Sequence, residues 1–142
     1  MGTERPWVRG ELPWLRSGPL FRVHRSAFDD LDAYLDRFPY RRFRLDGRAM
    51  TSRLEAHGEI ARTFGFPDHY GRNWDAFEDC FGDFLALHSG ELIAIVWDHL
   101  DVTAREAPAT AAEVGWALLN GSRQDVALDL FGVGEGDDFD CP

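Results

Sequence analysis

Between Trp74 and Leu85 the segment WDAFEDCFGDFL carries carboxylates at Asp75, Glu78, Asp79 and Asp83. Spacings of three and four stack such groups along one side of a helix. Acids placed this way can hold a metal ion, act as an acid–base pair, or accept hydrogen bonds from arginines of another molecule. Each like-charge pair a turn apart opposes the helix by roughly 0.2–0.5 kcal/mol. Asp75 recovers about 0.3–1 kcal/mol from the positive helix end, but Asp79 is too far along and Asp83 sits near the negative end. In isolation this face is electrostatically frustrated, and a cationic partner would relieve it.

Asn73 is a good N-cap, so the spacing predicts a helix from Trp74 to about Phe84. Trp74, Phe77, Phe81, Phe84 and Leu85 fall on its core side, with Asp75, Glu78, Asp79 and Gly82 opposite. Ahead of it runs PDHYGRN, in which Gly71 has backbone freedom denied to other residues and allows close approach by another chain. His69 and Tyr70 set two rings beside that glycine. Rings, open backbone and charges are what protein-binding surfaces are made of. The candidate contact set is therefore His69, Tyr70, Gly71, Asn73, Asp75, Glu78, Asp79 and Asp83.

The whole chain shares the bias of this segment. Its 142 residues carry 15 basic and 25 acidic side chains, a net charge of −10, and every basic residue is Arg. Nucleic acids and anionic membranes are held by neutralising their negative charge, so neither is expected as a partner. A basic protein, a cationic ligand or metal ions fit better. Hydrophobic content of 44% suits one folded domain with a sizeable core. Two cysteines, Cys80 and Cys141, make no disulfide framework and read as reduced thiols. No stretch has the apolar length of a signal peptide or membrane span, which points to a soluble cytoplasmic protein.

Other elements must hold the acidic helix in place. The residues up to Gly18 read as an irregular arm anchored by the indoles of Trp7 and Trp14. Leu20–Val23 reads as a strand, and Ser26 with Asp29 opens a helix whose stripe is Phe28, Leu31, Leu35 and Phe38. RRFRLDG alternates as a half-buried strand ending at the Asp46–Gly47 turn. Ser52 and Glu55 form a capping box for a helix running to about Phe64, stopped by Gly65 and Pro67. Leu92–Trp97 is a continuous apolar run, as in a strand covered on both faces. APATAAEVGWALLN reads as a helix ending at Gly121, Asp125–Phe131 as a last strand, and the acidic, glycine-rich tail as frayed. Trp74, Trp97 and Trp116 are expected in the core. Strands separated by helices indicate an α/β layer with a mainly parallel sheet.

The central segment resembles the barstar family, intracellular inhibitors of the secreted ribonuclease barnase. The family carries a Pro, an aromatic pair, Gly-x-Asn-x-Asp-Ala and a further Asp-Cys. Here Pro67, Tyr70, Gly71, Asn73, Asp75, Ala76, Asp79 and Cys80 follow that pattern with its spacing. FRLDG, IAIVW and DVALDLF are similar to the family's strands, so the likeness spans about Arg42 to Phe131. It implies a domain over residues 41–132, preceded by an arm and strand–helix extension (1–40) and followed by an acidic tail (133–142). It also implies that the helix and the turn before it plug a basic ribonuclease site. Asp79 would take the family's central acidic position and Asp75 the second. No catalysis, cofactor, metal or small-molecule substrate is implied, and the expected role is guarding the producing cell against a toxic ribonuclease. Departures are His69 for the first Tyr of the pair, Arg72 for an acid and Glu78 for a Trp. The acid the family supplies from its later helix has no clear counterpart: the alignment falls near Asn120, and Glu113 is that helix's one acid.

Three rival readings compete. Glycosidase-type carboxylates flank a bond across a cleft about 5–9 Å wide, which two acids along one convex helix cannot do. No G-x-S-x-G, phosphate loop or triad is present either. For a metal, His99 with Asp98 and Asp101, or His69 with Asp75, offer suitable atoms without a recognised spacing, and His24, His57 and His88 are scattered. The third rival keeps the fold but binds some other basic protein.

Overall fold

In the computed structural model, which describes residues 7–15, 20–121 and 126–142, the chain begins with α1 (Val8–Glu11), β1 (Leu20–His24), α2 (Phe28–Arg37) and β2 (Tyr40–Asp46). It continues through α3 (Arg53–Phe64), α4 (Trp74–Leu87), β3 (Leu92–Asp98), α5 (Leu100–Glu106), α6 (Pro108–Asn120) and β4 (Ala127–Gly134). The four strands form one sheet in the order β1-β4-β3-β2, and every pairing is parallel. The α/β layer expected from the sequence is therefore present.

Period-two alternation of the strands divides the core into two layers. Leu45, Ile93, Ile95, Trp97 and Leu130 face one side, where they meet Ile60 of α3, Phe77, Phe81 and Phe84 of α4, and Val114 and Leu118 of α6. Val23, Ala94, Val96, Phe131 and Val133 face the other, beneath Leu31, Tyr34 and Leu35 of α2 and Val8 of α1. All of β3 is buried because both its faces are covered, as its unbroken apolar run implies. Across the second layer the Tyr40 hydroxyl donates to Asp129 at 2.8 Å and lies 2.6 Å from that of Tyr34. Its acidity is suppressed by burial and then by the Asp129 charge, so it remains a neutral donor.

Several local expectations are met. Ser52 accepts the Glu55 N–H at 3.2 Å, and Gly65 ends α3 in the left-handed region at φ 70°. Four are corrected. Ser26 lies in a 3-10 turn, Arg25–Ala27, capped by the His24 ring, so α2 starts one residue later than a Ser26 cap would give. The arm contains α1 and is fastened by the aliphatic side chains of Val8, Leu12 and Leu15, while Trp7 is exposed and Trp14 half-buried. Aliphatic groups bury completely without an N–H needing a partner. The tail is ordered: Asp140 pairs with β1 through His24 N–H at 2.7 Å, and Phe139 lies over Gly134. Helix α5 was not anticipated, because LDVTARE is too short and polar to show a stripe. The start of the proposed last strand at Asp125 falls outside the described residues.

No helix among the described residues is long and apolar enough to cross a membrane.

Candidate functional site

Helix α4 is held by its apolar side. The rings of Phe77 and Phe81 stack at 4.9 Å, those of Phe81 and Phe84 at 5.7 Å, and all three are buried with Leu85. Burial of four such side chains contributes on the order of 6–12 kcal/mol. Repulsion along the acidic side amounts to about 1 kcal/mol. Packing wins, and it leaves Asp75, Glu78, Asp79 and Asp83 exposed to solvent.

None of these four carboxylates bonds to or ion-pairs with another described residue. Several other acids behave differently. Asp32 pairs with Arg42, Asp46 with Arg48, Glu59 with Arg62, and Asp98 with both Arg25 and Arg44. Those arginines are spent elsewhere, and among the described residues none pairs with the α4 ridge. Its field reaches Cys80, whose thiol is pushed up first by burial and then by Asp83 and Asp79.

The turn before α4 is built by its own side chains. Asn73 Oδ1 accepts the Ala76 N–H at 2.8 Å while its amide donates to the Gly71 carbonyl at 3.1 Å. One residue thus caps the helix and ties down the loop. His69, Gly71 and Asn73 are exposed beside the ridge, as expected. Two details differ from expectation. The left-handed residue is Arg72, at φ 50°, and Gly71 lies outside that region. Gly71 is instead confined, since a Cβ there would lie 3.0 Å from Asn73 Nδ2.

Tyr70 departs further, because its ring is buried rather than presented to a partner. Its hydroxyl lies 2.6 Å from Nδ1 of His57, and it packs against Phe66 at 5.1 Å. Burial, followed by Cys80, pushes the hydroxyl up to about 12, so it stays protonated. His57, on α3, has no exposed surface and its ring meets Trp74 at 4.4 Å. Burial holds it below its ordinary value, assisted by Arg53 and Arg72 and opposed by Glu113. His57 is a supporting residue that the sequence reading did not single out. Its signal was a histidine adjoining the Ala56, Ile60, Phe64 stripe.

The indoles divide. Trp97 is fully buried and Trp74 half-buried, but Trp116 is 71% exposed, against the expectation of a core position. Val114 and Leu118 form the inward row of α6, and two residues along a helix from each points outward. Trp74 Nε1 donates to Glu113 at 2.8 Å, so the one acid of α6 is joined to the start of α4. The rival constellations are not assembled as ligands. Asp98 is occupied by Arg25 and Arg44, and among the described residues no group of three His, Cys, Asp or Glu side chains gathers to hold a metal.

The family model described as Barstar (barnase inhibitor) matches residues 40–129, from the first residue of β2 into β4. No curated protein matches the chain. The matched segment includes the whole acidic helix, the turn before it, β2, β3 and the start of β4. This chain belongs to the barstar family and carries a barnase-inhibitor-like protein-binding module.

Proposed function

We propose that the chain inhibits a basic ribonuclease of the barnase type by laying α4 and the His69–Asn73 turn over the enzyme's active site. Such a site is a preorganised basic pocket that holds phosphate. Carboxylates can accept paired arginine hydrogen bonds where phosphate oxygens would. In this role Asp79 is the central acid and Asp75 the second, with Glu78 and Asp83 extending the negative surface and His69, Gly71 and Asn73 forming the adjoining contact. Tyr70 acts from beneath, by supporting the turn. The protein works without catalysis or cofactor, in the cytoplasm of the cell that makes the ribonuclease or meets it, as an immunity partner to the toxin.

One observation carries this: Asp75 and Asp79 share an exposed ridge and pair with no cation among the described residues, although several other acids, Asp98 among them, take arginines. The test is a pull-down from the native cell with wild-type and Asp79→Ala baits, followed by a ribonuclease inhibition assay on what is captured. A small basic nuclease, retained and silenced only by the wild type, is the expected result. Capture of a basic protein without nuclease activity would replace ribonuclease inhibition by binding of another target.

A further inference from the structure

Open parallel sheets hold their ligands beyond the carboxyl ends of the strands, where the connections diverge to opposite faces. Here the chain leaves β1 for the α2 layer and leaves β2 and β3 for the layer of α3 and α6. At that end Arg25, which follows β1, and Arg44 of β2 meet the buried carboxylate of Asp98, the last residue of β3. Both reach it through Nη2, Arg44 at 2.7 Å. A single carboxylate thus answers two guanidinium groups, and a local positive charge is left over in a chain whose net charge is −10.

Donors are left over as well. The Nε and Nη1 hydrogens of both arginines meet no partner among the described residues, and the two side chains are 31% and 52% exposed. Arg25 Nη2 also lies 3.1 Å from Nδ1 of His99. A guanidinium can only donate, so Nδ1 accepts and the ring hydrogen resides on Nε2. Nε2 stands 3.8 Å from Asp98, too far to donate to it. The backbone of His99 is held in the left-handed region at φ 53°, a conformation kept only where the surroundings enforce it. Its N–H is bound by Asp98 at 2.9 Å, and Gly47 lies close against its carbonyl. Three groups with unspent N–H donors are therefore fixed around one centre. Their charge repels a metal ion. A carboxylate is satisfied by a single guanidinium fork, whereas a phosphate presents oxygens in three directions.

We propose that this cluster binds the phosphate group of a small molecule, as the free ion or a monoester, on the outer edges of Arg25 and Arg44 with His99 Nε2 as third donor. The site shares no residue with the α4 ridge, so it stands or falls apart from ribonuclease inhibition. The full chain is titrated at constant ionic strength with sodium phosphate, glycerol phosphate and sodium acetate, while the arginine Nε–H and histidine ring resonances are followed by NMR. Saturable shifts confined to Arg25, Arg44 and His99 are expected with one or both phosphates and not with acetate. The tighter of the two phosphates tells the free ion from the ester. Arg44→Gln should weaken binding by about tenfold or more. His99→Asn, which keeps the left-handed backbone and withdraws the ring, should weaken it by about fivefold. Arg62→Gln should bind as the wild type does, since that arginine serves Glu59. Shifts that do not saturate, an equal response to acetate, shifts shared by Arg62, or undiminished binding by Arg44→Gln would overturn the proposal.

Discussion

The Tyr70 hydroxyl meets Nδ1 of a wholly buried His57 at 2.6 Å, joining the turn before α4 to the interior face of α3. The other ring nitrogen, Nε2, is buried and meets no hydrogen-bond partner among the described residues. The imidazole is a rigid support for the contact surface, and it tolerates no extra proton. A protonated ring would place a charge beside Arg53 and Arg72, with only Glu113 in opposition.

That arrangement predicts a pH dependence of stability. The folded-state value of His57 lies below its ordinary 6.5, so the unfolded chain binds the proton more readily. The contribution is fully present above about pH 6.5 and is lost as pH falls from there through the lower folded value. The midpoint of thermal unfolding should therefore drop between pH 7 and 5, and the drop should be smaller in His57→Gln. Parallel curves for the two proteins would contradict this. Tyr70→Phe should lose about 1 kcal/mol by chemical denaturation, with little change in pH slope.

For the proposed contact, Asp79→Ala should weaken ribonuclease binding by several kcal/mol, the family's own pair being the worked case for that range. Asp75→Ala should cost less, yet clearly more than Asp101→Ala. With a net charge of −10, association should slow as salt rises while dissociation changes little. Stopped-flow rates at several ionic strengths read this directly. An on-rate indifferent to salt would remove electrostatic steering, and equal inhibition by all three variants would remove α4 as the contact.

Asp98 predicts a structural counterpart. It is buried, accepts Arg44 at 2.7 Å, Arg25 and the His99 N–H at 2.9 Å, and so ties the residues after β1 to the end of β3. Burial alone would raise its pKa, but the two arginines prevail and lower it. Asp98→Ala removes the carboxylate partner of two partly exposed arginines, leaving Arg25 only the His99 ring, and should cost about 2–3 kcal/mol in urea unfolding at neutral pH. Sign again decides the window. The stabilisation is full above about pH 3.8 and vanishes as pH falls through the depressed value, so wild type and variant should converge in acid.

Two glycines should respond oppositely to alanine. At Gly47 a Cβ would lie 2.0 Å from the His99 carbonyl oxygen, and the Gly47 carbonyl already accepts Thr103 at 2.9 Å. Backbone cannot yield cheaply there, so Gly47→Ala should lose about 3 kcal/mol or more. At Gly115, within α6, a Cβ meets nothing within 4 Å. Gly115→Ala should gain roughly 0.5–1 kcal/mol and raise the melting temperature by about 3 °C. Calorimetry of the pair checks both signs.

What could be read from the sequence follows a physical division. Local periods and caps were legible: Asn73 caps α4, Ser52 caps α3, and the continuous run Leu92–Trp97 is buried on both faces. The acidic ridge was legible too, since helical spacing alone puts Asp75 and Asp79 together. Long-range facts were not. Trp116 sits on a helix of small apolar residues whose pattern does not reveal the inward side until α4 and the sheet are in place. Tyr70 looked like a surface ring because its partner His57 lies on a different element. The left-handed conformation at Arg72 could not be foreseen, as arginine has no special preference for it.

The pairing of Leu20–His24 with Leu130–Gly134 has a consequence for how the molecule comes into being. A segment made early thus pairs with one made much later. The first strand stays unmatched until β4 has been synthesised, and the layer beneath α2 cannot close before then. Completion of that side of the sheet is therefore timed by the appearance of Leu130–Gly134 and not by that of Leu20–His24.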